Sequence, residues 1–406
     1  MTRRVLLIGW RPDAVAALQH LGAEVTCVLT PPEDRDRRRG RLLPDAAVVP
    51  VEDPSGVESV LAGLVRRGLS AADFDVVCSQ AEFTLVNTAV LGGARSGTTP
   101  EDALALRDKD LQKRRIRSAG LPVADFRHLV HARQLTGFPH TRGVLKPLAS
   151  SGTRGVRSWQ SAEERAGVAR DTERSGATGP WLAEEWIDGA ELHVDGVVRG
   201  GQVVFVSVGR YLQNVLAIRQ GGIVASVVRH PAHHEQLYAR AREFAERAMK
   251  ALGHHDGVFH MEVFDQGDRL VFGECGGRIP GGSFDEMIRR QHGVDLHGEW
   301  ARAVLGLPPA ARPDPVAGWV GDVFLATAAG VVRSLPAESE VARQEGVLHV
   351  VLEARPGDTL SSAREASCSH AGTAVVVGRD ERETADRMRR LAAWFAERAV
   401  IDPAAP

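Results

Sequence analysis

One stretch limits what this chain can fold into more than any other: Val258 to Gly282, VFHMEVFDQGDRLVFGECGGRIPGG. Two apolar runs, VFHMEVF and RLVFGEC, flank the turn formers Asp265, Gly267 and Asp268, which predicts an antiparallel hairpin. Each run carries one acid, Glu262 and Glu274, among residues that would otherwise be buried. An ionised carboxylate there is costly unless a cation or hydrogen-bond donors meet it. Two carboxylates on adjacent strands therefore suit a divalent ion such as Mg²⁺, which needs few protein oxygens when phosphate and water supply the rest. Arg278 follows Glu274 at a spacing of four, inside a glycine-rich turn where backbone can approach a ligand closely. The other reading of the same residues is a hairpin whose acids are solvated at a sheet edge.

The remaining bulk properties narrow the class. A chain of 406 residues holds two to three domains' worth of sequence, enough for a large buried core. A formal net charge of -2 gives no argument for a nucleic-acid or anionic-membrane partner. Cys27, Cys78, Cys275 and Cys368 are scattered without metal spacing, so free thiols in a reducing cytoplasm are expected. The apolar run after the two arginines at the start is too short for a signal or membrane helix, and no other run reaches membrane length. A cytoplasmic protein is the expectation.

The first hundred residues alternate strand and helix: Val5 to Ile8, Asp13 to Leu21, Glu24 to Leu29, Val57 to Arg67 and Phe74 to Cys78. Such alternation predicts an open, mostly parallel sheet. The turn after the first strand, Gly9-Trp10-Arg11-Pro12, lacks the GxGxxG that seats a pyrophosphate on a helix end, which argues against a dinucleotide. The charged run Glu33 to Arg41 reads as a solvated loop.

Three segments further on carry chemistry-bearing residues. Arg107 to Leu121, RDKDLQKRRIRSAGL, predicts a basic helix with an exposed charged face, ending at Gly120 and stopped by Pro122. In GVLKPLASSGTRGVRSW, residues 143 to 159, a strand ends at Lys146-Pro147, a loop of small residues follows, and a second strand starts at Val156. This is not a Walker A loop, because no GK[ST] is present and it leads into a strand. Exposed backbone N–H groups, the hydroxyls of Ser150, Ser151 and Thr153 and the charge of Lys146 can nonetheless hold phosphates; an empty Gly/Ser hairpin is the alternative. Residues 181 to 197, WLAEEWIDGAELHVDGV, give a strand, a turn at Asp188-Gly189 and a new strand. Glu184 and Glu185 beside Trp186 and Ile187 fit a solvent-edge strand or a hinge whose backbone bonds a purine.

In this order and at these distances, LKP with its small-residue loop, EEWIDGAE, and a Glu-bearing hairpin closing on ECGGR resemble the ATP-grasp superfamily. The nearest branch is its carboxylate-amine ligases, the amino-acid ligases and carnosine-synthase-like enzymes. The resemblance covers about residues 100 to 300 and, more weakly, both ends. It implies an α/β and α+β multidomain chain with an ATP-grasp fold. The expected parts are a Rossmann-like pre-ATP-grasp domain over 1–105, a lid subdomain over 106–187, a large subdomain over 188–308 and a C-terminal subdomain over 309–406 that closes on substrate. It implies ATP with Mg²⁺ or Mn²⁺ as cofactors, small carboxylate and amine substrates as partners, and is compatible with a homodimer.

Position by position, the resemblance implies that Lys109 and Lys146 are the two nucleotide-phosphate lysines. Ser150, Ser151, Gly152, Thr153 and Gly155 belong to the flap over the phosphates. Glu184, Glu185, Trp186 and Ile187 form the adenine hinge, and Glu191 holds the ribose hydroxyls. Glu262 and Glu274 are the metal carboxylates, and Arg278 faces the transferred phosphoryl group. Gly281, Gly282, Asp285 and His260 border the substrate. One departure stands out: Gly276 occupies the position where the family usually has a metal-binding Asn. The implied chemistry is amide formation through an acyl phosphate on amino acids or small acids, releasing ADP and phosphate, in specialised biosynthetic metabolism. A biotin-carboxylase-like or purine-pathway carboxyl or formyl transfer is one alternative, and a nucleotide sensor without catalysis, motivated by Gly276, is another.

Fifteen histidines need an account. His254, His255 and His260 lie near Glu262 in sequence, but no HExxH is present and a paired HH before a turn reads as loop. His260 shares the face of Glu262 by alternation and should border the site. Asp285 either binds a substrate amine or stabilises a helix N-terminus. No GxSxG supports hydrolysis. Past a Pro/Ala linker ending at Pro315, strands are expected near Val320 to Thr327, His349 to Leu352 and Thr373 to Val377, a turn at 356–359, and a helix over Glu381 to Arg398.

Overall fold

Parallel pairing organises the first hundred residues, as their alternation predicts. The computed structural model describes residues 2–150, 152–220, 222–361 and 369–403; Ser151 and Cys368 lie outside them. Strands β1 (Arg4–Ile8), β2 (Glu24–Leu29), β3 (Val48–Pro50) and β4 (Val76–Cys78) form a parallel sheet in the order β3-β2-β1-β4. The order reverses between β1 and β4, so the loops leaving their C-terminal ends open a crevice, the usual ligand position of such sheets.

The run Glu33 to Arg41 is not a loop. It belongs to a helix, Pro31–Gly40, started by Thr30 and Glu33 in a reciprocal capping box and by proline in the first turn. Charge alone hid it: Arg37 is buried between Asp34 at 2.7 Å and Asp45 at 2.5 Å, so the helix has one inward-facing cation and an otherwise wet face.

A second, four-stranded sheet contains β5 (Phe126–Leu129), β6 (Gly143–Pro147), β7 (Arg157–Trp159) and β8 (Trp181–Glu185), all antiparallel, in the order β5-β8-β6-β7. The large sheet is built from β9 (Ala190–Arg199), β10 (Gln202–Tyr211), β11 (Ala225–Val228), β12 (Gly257–Asp265), β13 (Leu270–Gly276), β14 (Trp319–Leu325), β16 (Val347–Leu352) and β18 (Gly372–Gly378). Its order is β13-β12-β9-β10-β11-β14-β18-β16. The expected hairpin is therefore its edge pair, and strands from beyond residue 309 continue the same sheet through β11 and β14. A small sheet of β15 (Gly330–Ser334), β17 (Thr359–Leu360) and β19 (Val400–Asp402) completes the tail, and the expected helix runs over Glu381–Arg398.

The units share cores. Leu7 and Val15 of the first sheet's unit join Phe205, Val258 and Trp300 in one apolar cluster, which seats the parallel sheet against the large one. Fully burying a side chain of this size contributes about 1.5–3 kcal/mol. The basic helix spans Lys109–Ser118, later than the run suggested because Asp108 caps it by accepting from the Leu111 N–H at 2.9 Å. Its charged face is not all exposed: Lys109, Gln112, Lys113 and Ile116, spaced three and four apart, are buried.

Candidate active site

Pairing of β12 with β13 sets Glu262 opposite Glu274, with the register slipping just after Glu262. Both carboxylates line a cleft of about 760 Å³, together with Glu191 from β9. Glu191 accepts a hydrogen bond from the Val215 N–H at 2.7 Å, yet burial and the neighbouring Glu262 push its carboxyl well above the usual carboxylate range. Burial acts the same way on Glu274, but Lys109 and Lys146 overcome it and hold that carboxyl low. Glu262 and Glu274, opposite each other on paired strands, offer carboxylate oxygens of the kind a divalent oxygen-loving cation takes. Glu262 also accepts from the Tyr211 hydroxyl at 3.3 Å.

The helix Lys109–Ser118 fixes the cations. Gln112 clamps the backbone of Cys275, donating to its carbonyl at 2.6 Å and accepting from its N–H at 3.0 Å, which locks the helix in register beside Glu274. Lys109 then lies 3.3 Å from Glu274 and donates to the Ser150 carbonyl at 2.9 Å. One turn on, Lys113 reaches Glu184 at 3.3 Å, and Lys146 from β6 meets the same carboxylate oxygen at 3.3 Å. Lys146 and Lys113 are pulled in opposite directions. Burial opposes the charge of both, but Glu184, Glu274 and Glu262 raise the pKa of Lys146, whereas Lys113 has chiefly Glu184 and is repelled by Lys146, so its pKa falls. The other Glu184 oxygen, Oε1, is buried and has no hydrogen-bond partner.

Arg278 lines the same cleft. Its guanidinium pairs with Glu82, which also pairs with Arg107. Burial of Glu82 would raise its pKa, and the two arginines reverse that and lower it. A Cβ placed on Gly276 would meet Glu82 Oε2 and Arg278 Cγ at 3.6 Å, ordinary contact distance, so this ion pair borders the position where the family usually has Asn. Gly281 and Gly282 line the cleft; Gly282 has φ +80 and a Cβ there would lie 2.5 Å from the Phe324 ring, so the close approach requires glycine. In the flap, Gly152 and Thr153 line the cleft, whereas Ser150 and Gly155 do not; Gly155 sits at φ +71 against Pro147.

Other expected residues sort as follows. Trp186 and Ile187 line the cleft, as does Glu185, which accepts from the Asp125 N–H at 2.8 Å. His260 borders it, with Nδ1 2.7 Å from Asp195 and Nε2 3.8 Å from Glu262. Burial would lower its pKa, but Asp195 and then Glu262 carry it up to about 9. Asp195 also meets buried His193 at 2.5 Å, so His193, Asp195 and His260, a group compact enough to hold a metal, are already bonded to one another. His254 and His255 are elsewhere: both line a separate cavity, and His254 bonds the Val258 carbonyl at 2.9 Å. Asp285 does not line the cleft. It sits in the first turn of the helix Phe284–His292 and pairs with His297 at 3.3 Å, which favours the helix-terminus reading.

Sequence reasoning missed Lys113, Gln112, Arg107, Glu82 and Arg11. For Lys113 and Gln112 the signal was present, four and three residues after Lys109 on one helix face. For Arg11 and Glu82 it was topological: they follow β1 and β4 at the point where the strand order reverses.

A family model for the ATP-grasp domain matches residues 114–280, which span the flap, the hinge, both paired acids and Arg278. Residues 114–280 are an ATP-grasp domain. The fold around that ATP-grasp domain is shared widely. The L-amino acid ligase of Bacillus licheniformis superposes with a TM-score of 0.76 over 99% of both chains at 18% identity. The carboxyaminoimidazole ribonucleotide synthase of Aspergillus clavatus, solved with ATP, gives 0.73 over 97% of this chain and 99% of that one at 18% identity. Among curated proteins, the L-arginine-specific L-amino acid ligase of Bacillus subtilis is 23% identical over 324 residues, 76% of either chain.

Proposed function

We propose that this chain is an ATP-dependent carboxylate-amine ligase acting on amino acids or similar small acids. The observation that carries the reading is the convergence of Lys109, Lys146, Glu191, Glu262, Glu274 and Arg278 on one cleft next to an ATP-grasp flap. The relatives point the same way, since two of those compared are L-amino acid ligases.

In this reading ATP lies between the small and large sheets. The buried, unpartnered Glu184 Oε1 accepts from the purine amine, Trp186 and Ile187 pack the base, and Glu191 receives the ribose hydroxyls. Lys109 and Lys146 hold the phosphates, and the flap glycines let backbone N–H groups close over them. Glu262 and Glu274 would hold Mg²⁺, whose chemistry is to neutralise charge on the phosphates. The substrate carboxylate attacks the γ-phosphorus and ADP leaves; Arg278 balances charge on the transferred group. The amine then attacks the acyl carbon, loses a proton, and phosphate departs with one oxygen of the original carboxylate. No side chain acts as a nucleophile, so catalysis is positioning, charge balance and exclusion of water.

The test is phosphate release from ATP and Mg²⁺ over pairs of amino acids and small acids, with mass spectrometry of products. The reading expects an amide product with at least one pair, and loss of the signal in Glu274→Gln with the fold intact. Turnover that instead requires bicarbonate, or formate with a ribonucleotide amine, would move the chain to the carboxyl- or formyl-transfer branch. Nucleotide binding without turnover on any pair would make it a sensor.

A further inference from the structure

Among the described residues, four arginine or lysine side chains line the cleft: Arg11, Lys109, Lys146 and Arg278. Lys109 is matched by Glu274, Lys146 by Glu184 and Arg278 by Glu82. Among the described residues, the Arg11 side chain has no ion pair or hydrogen bond. The acids whose charge reaches it do not supply one: Glu33 accepts from the Thr30 N–H at 2.7 Å and hydroxyl at 2.8 Å, Glu82 is paired with Arg107 and Arg278, and Glu353 acts only as a charge. Arg11 follows β1 at the reversal of strand order, lines the cleft and feels the charge of Arg278 and Glu82, so it lies near the Arg278–Glu82 pair. Partial burial and then Arg278 lower its pKa while Glu33, Glu353 and Glu82 act the other way, and the residue remains exposed, so its guanidinium is free to meet an anion in the cleft.

We propose that Arg11 binds the unreacting carboxylate of the amine substrate, which makes that substrate a free amino acid. The inference rests on the ligase reading above and deepens it. A guanidinium presents a planar fork that matches a carboxylate in two parallel hydrogen bonds. The reacting carboxylate belongs beside Arg278 and the paired acids, so the anion left for Arg11 is the one that is carried into the amide product unchanged. Trp10 and Phe83, which also line the cleft, supply apolar surface for the side chain of the same amino acid. Recognition by Arg11 explains how a site that must accept a neutral amine for attack can still select a zwitterionic molecule.

The experiment compares each amino acid that serves as amine with its primary carboxamide, in the parent protein and in Arg11→Gln, with hydroxylamine as an amine lacking any carboxylate. In the parent, kcat/KM for the free amino acid exceeds that for the carboxamide by about tenfold or more, the effect of losing one charge-assisted contact. In Arg11→Gln that ratio falls to within about twofold, the loss appearing in KM for the amino acid and not in KM for ATP. Equal use of amino acid and carboxamide by the parent overturns the inference while leaving the ligase reading standing. A loss of equal size with hydroxylamine also overturns it, since Arg11 would then serve the activated acid. Absence of any ligation in the parent overturns both.

Discussion

At the scale of single residues, the site is a chain of charges in which each acid is set by the cations it faces. Glu184 is the residue whose loss costs most: it is the acid shared by Lys113 and Lys146, with Glu184 and Lys113 buried and Lys146 half-buried. Removing it takes from buried Lys113 its one close acid and leaves Lys146 to Glu274 and Glu262, so Glu184→Ala is expected to cost about 3–5 kcal/mol. Lys113→Met leaves Glu184 paired to Lys146 and should cost clearly less; denaturant midpoints of the two variants make the comparison, and equal losses would refute the shared-acid account. Glu82 gives a pH signature. Its folded pKa lies below its ordinary value of 4.5, so it adds stability above that pH, which disappears as pH falls through the lower folded value. Glu82→Gln should therefore show a shallower decline in stability below about pH 4.5 than the parent, measured by unfolding at a series of pH values. Parallel declines would mean that Arg278 and Arg107 do not hold Glu82 ionised.

At the scale of elements, local signals and burial decide what forms. The helix Pro31–Gly40 depends on its start, because its mean composition is strongly charged and its capping box ties Thr30 to Glu33. Thr30→Ala should cost about 1 kcal/mol, read from thermal or chemical unfolding, and a change near zero would show that tertiary contacts alone hold the helix. This helix was legible in its Thr-Pro-Pro-Glu opening, but a run of arginines and aspartates obscured it. The hairpin β12–β13 was legible apart from the register slip after Glu262, because a turn between two apolar runs signals antiparallel pairing. The helix Lys109–Ser118 was half legible. Its existence followed from capping and composition, whereas the burial of Lys113 depends on Glu184, 71 residues away, and no local pattern carries that.

At the scale of the molecule, one cleft draws on every part of the chain. Trp10, Arg11 and Glu82 come from the parallel sheet's loops, Lys146 and Glu184 from the small sheet, Glu262, Glu274 and Arg278 from the hairpin, and Phe324 and His370 from the tail. The motifs within 114–280 were readable because each lies on one strand or loop. Glu82 and Arg278, 196 positions apart, were not read as partners, since only the packing of the parallel sheet onto the large one brings them together. The claim that joins these parts is that the cleft transfers phosphate from ATP to a carboxylate before an amine arrives. Ligation with an acid labelled with oxygen-18 in its carboxylate tests this directly: the account predicts that one labelled oxygen appears in the phosphate released with each amide formed, and phosphate whose new oxygen comes from water alone would contradict it.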